Sequence, residues 1–252
     1  MEALSVSVEN LTFTYPDGTE ALRGVRWAVG AGASVGLIGP NGAGKSTLLL
    51  HLNGVLRGEG TIKIGDVEVA GENLPEVRRR VGLVFQDADD QLFMPTVFDD
   101  VAFGPLNLGC SEAEVKERVE RALAAVRLSD LGEKAPHHLS GGQKRLAAIA
   151  TTLSMDPGVL VLDEPTSNLD HRSRRALIHV LNDLPITKIV AGHDLEFILE
   201  TCREVCLMNG GAVVRHGSAE TLLSDEALLA AHGLETPHSL LHRRREHTHR
   251  EE

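Results

Sequence analysis

Residues 34–52, SVGLIGPNGAGKSTLLLHL, decide the fold of this 252-residue chain. The apolar run 34–38 stops at Gly39, and apolar residues at helical spacing follow Ser46. Between them, residues 39–46 satisfy the pattern G-x-x-x-x-G-K-[ST] in the strand–loop–helix setting that a phosphate-binding loop requires. Such a loop and helix N-terminus present backbone N–H groups and partial positive charge to an anion. The stretch therefore predicts a nucleotide site. Its expected binding residues are Gly39, Pro40, Asn41, Gly42, Ala43, Gly44, Lys45, Ser46 and Thr47.

The side chains that accompany this loop predict its chemistry. Lys45 is expected to reach the β- and γ-phosphates, and the Ser46 hydroxyl to bind Mg²⁺. The apolar run 159–162 ends in Asp163 and Glu164, which suit Mg²⁺ held through water and a water polarised for attack on the γ-phosphate. Taken alone, these two carboxylates are better explained as a solvated strand end, so the catalytic interpretation depends on the companion loop.

A second glycine-containing segment precedes a predicted helix at Leu139-Ser-Gly-Gly-Gln143. Like the first loop, it offers N–H groups and a helix N-terminus to an anion. Because the first loop already holds the phosphates of one nucleotide, a second anion site in one chain suggests contact with the nucleotide of a second chain.

Composition restricts the function classes. The chain has 25 Lys+Arg against 36 Asp+Glu, a formal charge of −11, which opposes general nucleic-acid binding. It contains no apolar run of the ~18 residues that a membrane span needs and no secretory signal at its start, so we expect it in the cytoplasm. Its three cysteines are too few for a disulfide framework and are interpreted as ordinary buried residues.

The spacing of apolar residues predicts the secondary structure of the rest of the chain. The first thirty residues alternate around a turn at Pro16-Asp17-Gly18, which indicates antiparallel strands. A capping box at Ser111 and Glu114 starts one helix, and another is expected from Ser140 to the break at residues 156–158. Strands then alternate with helices, which predicts a parallel sheet covered on both faces.

Taken together, these motifs resemble the ATP-binding cassette, the ATP-hydrolysing subunit of ABC transporters, from Tyr15 to about Gly217. The resemblance implies that Tyr15 stacks on adenine, that Gln86 senses the γ-phosphate and metal, and that His193 is a switch residue at the γ-phosphate. It implies ATP and Mg²⁺ as ligands. The implied contacts with ATP on the opposite subunit of a head-to-tail dimer come from Ser140, Gly141, Gly142, Gln143 and Asp170.

Three of these residues have plainer interpretations. Tyr15 is the only tyrosine and is also explained as a strand residue packing on Pro16. A lone His193 is more often structural, and Gln86 alone carries no signal. Their order and spacing support the assignment of catalytic roles to Gln86, Glu164, His193 and Lys45, with Ser46, Gln86 and Asp163 around Mg²⁺.

The implied fold is α/β: a P-loop NTPase (RecA-like) core, an N-terminal antiparallel β-subdomain and an α-helical signature subdomain. We expect an ATPase domain over residues 1–235, with a helical insertion at about 87–154. The His- and Arg-rich tail, residues 236–252, is expected to be mobile.

Within the family, residues 84–93 and 96–105 are similar to the ATPases of energy-coupling-factor importers, most of all the cobalt and nickel members. The departure is Ala88, where such segments often carry proline. This similarity implies a second ATPase subunit, as a homodimer or heterodimer, a substrate-binding membrane subunit, and a transmembrane coupling protein that docks beside Gln86. Leu92, Phe93 and Met94 are candidates for that docking groove, with core packing equally possible.

The expected function is therefore ATP-driven import of cobalt or nickel at the cytoplasmic face of the membrane. A vitamin importer with the same machinery is the alternative, because another subunit selects the substrate. A non-transport cassette that acts on nucleic acid or the ribosome is a less favoured alternative, because such proteins usually carry a second cassette, a coiled coil or a basic insertion. We expect no nucleic-acid partner.

Histidines near the C-terminus give a weaker hint of a metal. Five of the 12 lie there: His232, His238, His242, His247 and His249. Imidazole suits cobalt, nickel and zinc, but the spacing matches no closed site. A solvated charged tail is the favoured interpretation, and a loose metal-gathering tail is the alternative.

Overall fold

The computed structural model describes residues 1–241 and contains two sheets with helices around them. The strands are β1 (Val6–Thr14), β2 (Glu20–Val29), β3 (Ser34–Ile38), β4 (Glu59–Ile64), β5 (Val67–Glu68), β6 (Val81–Val84), β7 (Val159–Asp163), β8 (Thr187–Ala191), β9 (Glu204–Asn209) and β10 (Ala212–Ser218). The α-helices are α1 (Lys45–Leu52), α2 (Leu74–Arg80), α3 (Val97–Asn107), α4 (Glu112–Ala125), α5 (Gly141–Leu153), α6 (His171–Asp183), α7 (Leu195–Thr201), α8 (Ala219–Leu223) and α9 (Glu226–Ala231). Short 3₁₀ turns connect several of them.

The N-terminal part is an antiparallel sheet in the order β2-β1-β4-β5, as the alternating sequence predicts. The predicted turn between β1 and β2 is present: the backbone N–H of Thr19 donates to Asp17 Oδ1 at 2.9 Å, and Gly18 has a φ of 88°. Leu11 and Val25 are register partners on the buried face.

The second sheet has the order β10-β9-β3-β8-β7-β6, and all of its strands are parallel except the edge strand β10. The phosphate loop follows β3, Asp163 ends β7, and His193 follows β8. Because parallel strands end at the same edge, the topology brings these three segments together at the carboxyl edge of neighbouring strands.

Two apolar clusters cover opposite faces of the parallel sheet. Along β7, Val159 and Val161 belong to the cluster shared with α1 and the antiparallel sheet. Leu160 and Leu162 belong to the cluster shared with α3 to α7. Burial on both faces explains why these strands are continuous apolar runs.

Three helices, α3 to α5, lie between the sheet strands β6 and β7 in the chain. The predicted capping box at Ser111 is confirmed, since Glu114 N–H donates to the serine hydroxyl and the Glu114 carboxylate accepts from Ser111 N–H at 2.8 Å. Helix α5 begins after Ser140 and ends before Asp156, also as predicted.

Beyond residue 235, the predicted end of the ATPase domain, the described chain still packs against the rest of the protein. Leu240 is 4% exposed within the core, and Ser239 donates through its N–H and hydroxyl to the Glu196 carboxylate at 2.9 and 2.8 Å. The rest of the predicted tail, with His242, His247 and His249, lies outside the described residues. None of the helices within residues 1–241 has the length and apolar character needed to cross a bilayer.

Candidate functional site

The phosphate loop, residues 39–44, is shaped by glycines that no other residue could replace without strain. Gly39 has a φ of 147°, and a Cβ at this position would lie 2.1 Å from the Met208 carbonyl oxygen. Gly44 precedes α1 with a φ of 98°, in the left-handed region that glycine adopts without penalty. The loop therefore packs closely against β9 and leads directly into the N-terminus of α1.

Lys45 places a positive charge at the base of this loop. Its side chain is buried, and Nζ donates to the carbonyl oxygens of Gly39 at 2.7 Å and Pro40 at 3.1 Å. Burial lowers the pKa of Lys45, while the nearby carboxylates of Glu164 and Asp163 oppose that shift. The ammonium group lies where phosphate oxygens held by the loop would be neutralised.

Ser46 and Asp163 form the candidate Mg²⁺ site. The Ser46 hydroxyl interacts with the Asp163 carboxylate, and Asp163 Oδ1 is buried with no hydrogen-bond partner among the described residues. Burial raises the pKa of Asp163, because the ionised carboxylate has lost water that no protein donor fully replaces. A hydroxyl, a carboxylate and the nearby amide oxygen of Gln86 are the hard oxygen ligands that Mg²⁺ prefers, so this donor set suits the ion.

Glu164 and His193 are brought into direct contact. Nδ1 of His193 lies 2.7 Å from Glu164 Oε2, and the histidine side chain is 70% exposed whereas that of Glu164 is 13% exposed. Glu164 has a φ of 45°, a left-handed conformation that costs about 1 kcal/mol or more for a non-glycine residue. Its N–H donates to the Ala191 carbonyl at 2.9 Å, which ties this strained residue to the end of β8.

One cavity of about 640 Å³ unites residues 41–47 of the first loop with Tyr15, Gln86, Glu164 and His193, whereas the predicted binding residues Gly39 and Pro40 are not part of its lining. Tyr15 forms one wall: its hydroxyl is 3.0 Å from Thr47 Oγ1, and its ring packs edge-on against Phe13 at 4.9 Å between centroids. Tyr15 thus borders the cavity, and its role against adenine stays a prediction.

The signature segment starts α5 with a second capping box. Gln143 N–H donates to Ser140 Oγ at 3.3 Å, and Ser140 N–H donates to the Gln143 amide oxygen at 2.9 Å. Gly142 lies against α6, where its lack of a side chain leaves room for Ser173. Asp170 caps α6 by accepting from Ser173 N–H at 2.7 Å.

A neighbouring cavity of about 600 Å³ joins this segment to the metal site, with Gly141, Ser46, Gln86 and Asp163 in its lining. In the part of the chain that the structure describes, neither cavity lining includes Ser140, Gly142, Gln143 or Asp170. These four predicted residues therefore do not line the cavity beside the nucleotide loop of their own chain. Their predicted contact with a second chain stays a prediction.

An apolar groove of about 350 Å³ lies beside Gln86, between α2, α3 and α5. Phe93 is 63% exposed and meets Phe103 edge-on at 5.2 Å between centroids, and both line the groove. Leu92 belongs to the core instead, with 7% exposure, and Met94 lies outside the lining. Of the three candidates for this groove, the structure therefore supports only Phe93.

The sequence did not single out Arg145 or Arg174. Arg145 is 4% exposed and donates to the main-chain carbonyls of residues 85 and 86; burial lowers its pKa, and Asp87 opposes the shift. Arg174 pairs with Asp194, the residue after His193, through two hydrogen bonds of 2.8 and 3.2 Å. The signal that the sequence offers for Arg145 is its position directly before the apolar run 146–150 of α5.

Comparison with known families agrees with this geometry. The ABC transporter family profile matches residues 22–167. The chain is an ABC transporter ATPase. Its fold is accordingly the P-loop NTPase fold, with the N-terminal β-subdomain and the α-helical signature subdomain. As an ABC ATPase it hydrolyses ATP, with Mg²⁺, in a reaction coupled to transport.

Curated relatives of this ABC ATPase include energy-coupling-factor proteins. The energy-coupling factor transporter ATP-binding protein EcfA of Carboxydothermus hydrogenoformans is 49% identical over 238 residues, covering 93% of this chain and 88% of its own. The cobalt import ATP-binding protein CbiO of Rhodobacter capsulatus is also 49% identical over 238 residues, covering 92% and 85%. Relatives of slightly higher identity have names that state no substrate.

Solved structures of ATP-binding cassettes are also similar to this chain. CbiO1 from Clostridium perfringens, described as part of the ABC transporter complex CbiONQ, superposes with a TM-score of 0.80 at 36% identity, covering 90% of this chain and 93% of that one. The dimeric post-hydrolysis state of the ATP-binding cassette MJ0796, bound to ADP and Pi, has a TM-score of 0.75 at 27% identity, covering 85% and 98%.

Proposed function

We propose that this ABC ATPase powers uptake of cobalt or nickel by an energy-coupling-factor importer, working as a dimer at the cytoplasmic face of the membrane. The contact between His193 and Glu164 beside the phosphate loop carries the catalytic part of the proposal. The names of the EcfA and CbiO relatives support the transport part.

The proposed chemistry relies on positioning and charge. Lys45 and the N-terminus of α1 hold the phosphates, and Glu164 accepts a hydrogen bond from the attacking water and then its proton. His193 keeps the Glu164 carboxylate oriented through the 2.7 Å contact. Ser46, Asp163 and Gln86 would hold Mg²⁺, which when bound neutralises charge on the phosphate oxygens.

The dimer is proposed from the segments that do not reach the nucleotide cavity of their own chain. A head-to-tail pair would apply the signature residues Ser140–Gln143 and the Asp170 loop to the partner's ATP. The dimeric structure of the cassette MJ0796 bound to ADP and Pi supports the formation of a dimer. The catalytic motifs of the chain are intact, which favours a homodimer with two active sites, although pairing with a close relative would place the same residues in the same roles.

The apolar groove beside Gln86 is the proposed docking site for the transmembrane coupling protein. Phe85, Phe93 and Phe103 in its lining are 39%, 63% and 44% exposed, an arrangement that is unfavourable in water and suits an apolar partner. A separate membrane subunit would bind the transported ion, so the ATPase itself need not touch it.

Cobalt or nickel is proposed because the chain resembles CbiO proteins as strongly as EcfA proteins. Within residues 1–241, no cluster of three or more potential metal ligands contributes to the choice. The gathering of metal by the histidine tail stays a hypothesis.

The test is metal uptake in cells at limiting external metal. Cellular cobalt and nickel are measured by mass spectrometry in cells that carry either the native chain or Glu164→Gln, with the exposed Glu133→Gln as the matched control. A selective fall of one metal in Glu164→Gln cells alone would identify the ion. Unchanged levels of both metals would contradict the proposal, and loss of a vitamin instead would favour the vitamin importer.

A further inference from the structure

Arg145 connects the signature helix to the residue proposed to sense the nucleotide. It lies in the second turn of α5, and its Nη1 donates to the Phe85 carbonyl at 2.6 Å while its Nη2 donates to the Gln86 carbonyl at 2.5 Å. One planar guanidinium therefore fixes two successive carbonyls, one on each side of the Gln86 Cα.

Burying the Arg145 guanidinium costs more free energy than a purely structural contact would require. Arg145 is 4% exposed, and within the described residues its Nε has no hydrogen-bond partner. A buried charge whose hydrogen-bond acceptors are two neutral carbonyls loses more hydration than such bonds restore, and an apolar residue would fill the space at lower cost. What the arginine provides is a fixed position for the Gln86 backbone.

Other side chains attach the same segment, residues 85–91, to α5. Gln91 Nε2 donates to the Ala148 carbonyl at 3.0 Å and to Thr151 Oγ1 at 2.7 Å. Lys144 Nζ pairs with Asp89 Oδ1 at 2.6 Å. The segment is thus tied to successive turns of α5, so a displacement of α5 must carry Gln86 with it.

The two ends of this connection belong to different ATP sites in the proposed dimer. Residues 140–143 at the start of α5 would contact ATP on the partner, whereas Gln86 lines the nucleotide cavity of its own chain. We propose that Arg145 is a positioning residue that couples the two ATP sites, so that ATP held by one subunit's α5 sets Gln86 at the other nucleotide. This inference depends on the sandwich dimer of the proposed function.

The experiment uses the full chain with Arg145→Met, which removes both donors at similar volume, and Arg145→Lys, which keeps the charge but not the fork. Arg118→Met is the matched control, because Arg118 donates to the Ser154 carbonyl at the opposite end of α5, at 3.3 Å. ATP hydrolysis is followed against ATP concentration, together with binding of a fluorescent ATP analogue to the dilute chain and thermal unfolding.

For the native chain and Arg118→Met we expect a Hill coefficient above about 1.5, where two sites allow at most 2. For Arg145→Met we expect a Hill coefficient near 1 and a kcat lower by about 10- to 100-fold, because Gln86 is misplaced. Arg145→Lys should give intermediate values. Binding of the analogue should change by less than about twofold, which a general loss of structure would not allow.

Two results would refute the coupling role of Arg145 and the sandwich dimer separately. If Arg145→Met keeps the native Hill coefficient and kcat, the coupling role of Arg145 is wrong while the dimer stands. If the methionine variant does not fold, the same result for Arg145→Lys leads to the same conclusion. If the native chain itself hydrolyses ATP without cooperativity and never dimerises, the sandwich dimer fails, and with it the inference.

Discussion

Replacing Gly142 by alanine tests how closely the signature helix packs on α6. A Cβ at this position would lie 2.1 Å from Ser173 Oγ and 2.4 Å from Ser173 Cβ. Rotation of the serine moves its hydroxyl away but leaves its Cβ in place, so the two helices must separate. Reaching an ordinary contact distance of about 3.4 Å requires an opening of roughly 1 Å.

Overpacking of this kind costs about 1–3 kcal/mol. For a chain of this size, 1 kcal/mol lowers Tm by about 2–4 °C, so Gly142→Ala should unfold about 2–12 °C below the native protein. The assay is calorimetric unfolding of the nucleotide-free chain. Ser173→Gly removes both clashing atoms, and in the double variant we expect a favourable interaction energy of about 1–2 kcal/mol.

Gly141→Ala is the matched control, since a Cβ there would meet no atom within 4 Å. Alanine in the first turn of a helix should leave stability unchanged or raise it by up to about 1 kcal/mol. Equal stability of Gly142→Ala and the native chain, or a loss that Ser173→Gly leaves untouched, would refute the packing argument.

Three further outcomes are expected. Burial holds the pKa of Asp163 above its unfolded value, so the ionised carboxylate destabilises the fold at neutral pH. Asp163→Asn should therefore be more stable than the native chain by on the order of 1 kcal/mol at pH 7. Thermal unfolding measured across the pH range should show this difference vanish as the pH falls below about 4. A native chain that is the more stable at pH 7 would contradict this. Tyr15→Ala should raise the KM for ATP about 10-fold, whereas Tyr15→Phe, which loses only the bond to Thr47, should change it by less than about threefold in initial-rate measurements; equal effects would exclude stacking. Phe93→Ser should move the chain from the membrane fraction to the supernatant of cells that contain the coupling protein, and unchanged sedimentation would argue against the groove.

Much of the fold and of the candidate site could be predicted because the decisive signals are local. The glycine loop needs its strand and helix on either side, and the carboxylates Asp163 and Glu164 come directly after an apolar run. Parallel strands then bring these ends together without any knowledge of side-chain packing. The contact of Glu164 with His193 follows from the same rule, since β7 and β8 are neighbours.

The rest depends on partners that are distant in the chain. Arg145 meets carbonyls about 60 residues earlier, and nothing in the local pattern of α5 reveals them. The proximity of Gly142 to Ser173 depends on how α5 crosses α6. Leu92 and Phe93 are equally apolar neighbours, yet one enters the core and the other faces the groove, because the chain between Gln91 and α3 is irregular and has no period to read.

The decisive measurement is ATP turnover and mass of the Glu164→Gln variant by single-turnover hydrolysis and light scattering. With the carboxylate replaced by an amide that cannot accept a proton, the account predicts hydrolysis lower by at least about 100-fold, with ATP retained and a stable dimer in solution. Hydrolysis at the native rate, or a variant that binds ATP yet stays monomeric at every concentration, would contradict it.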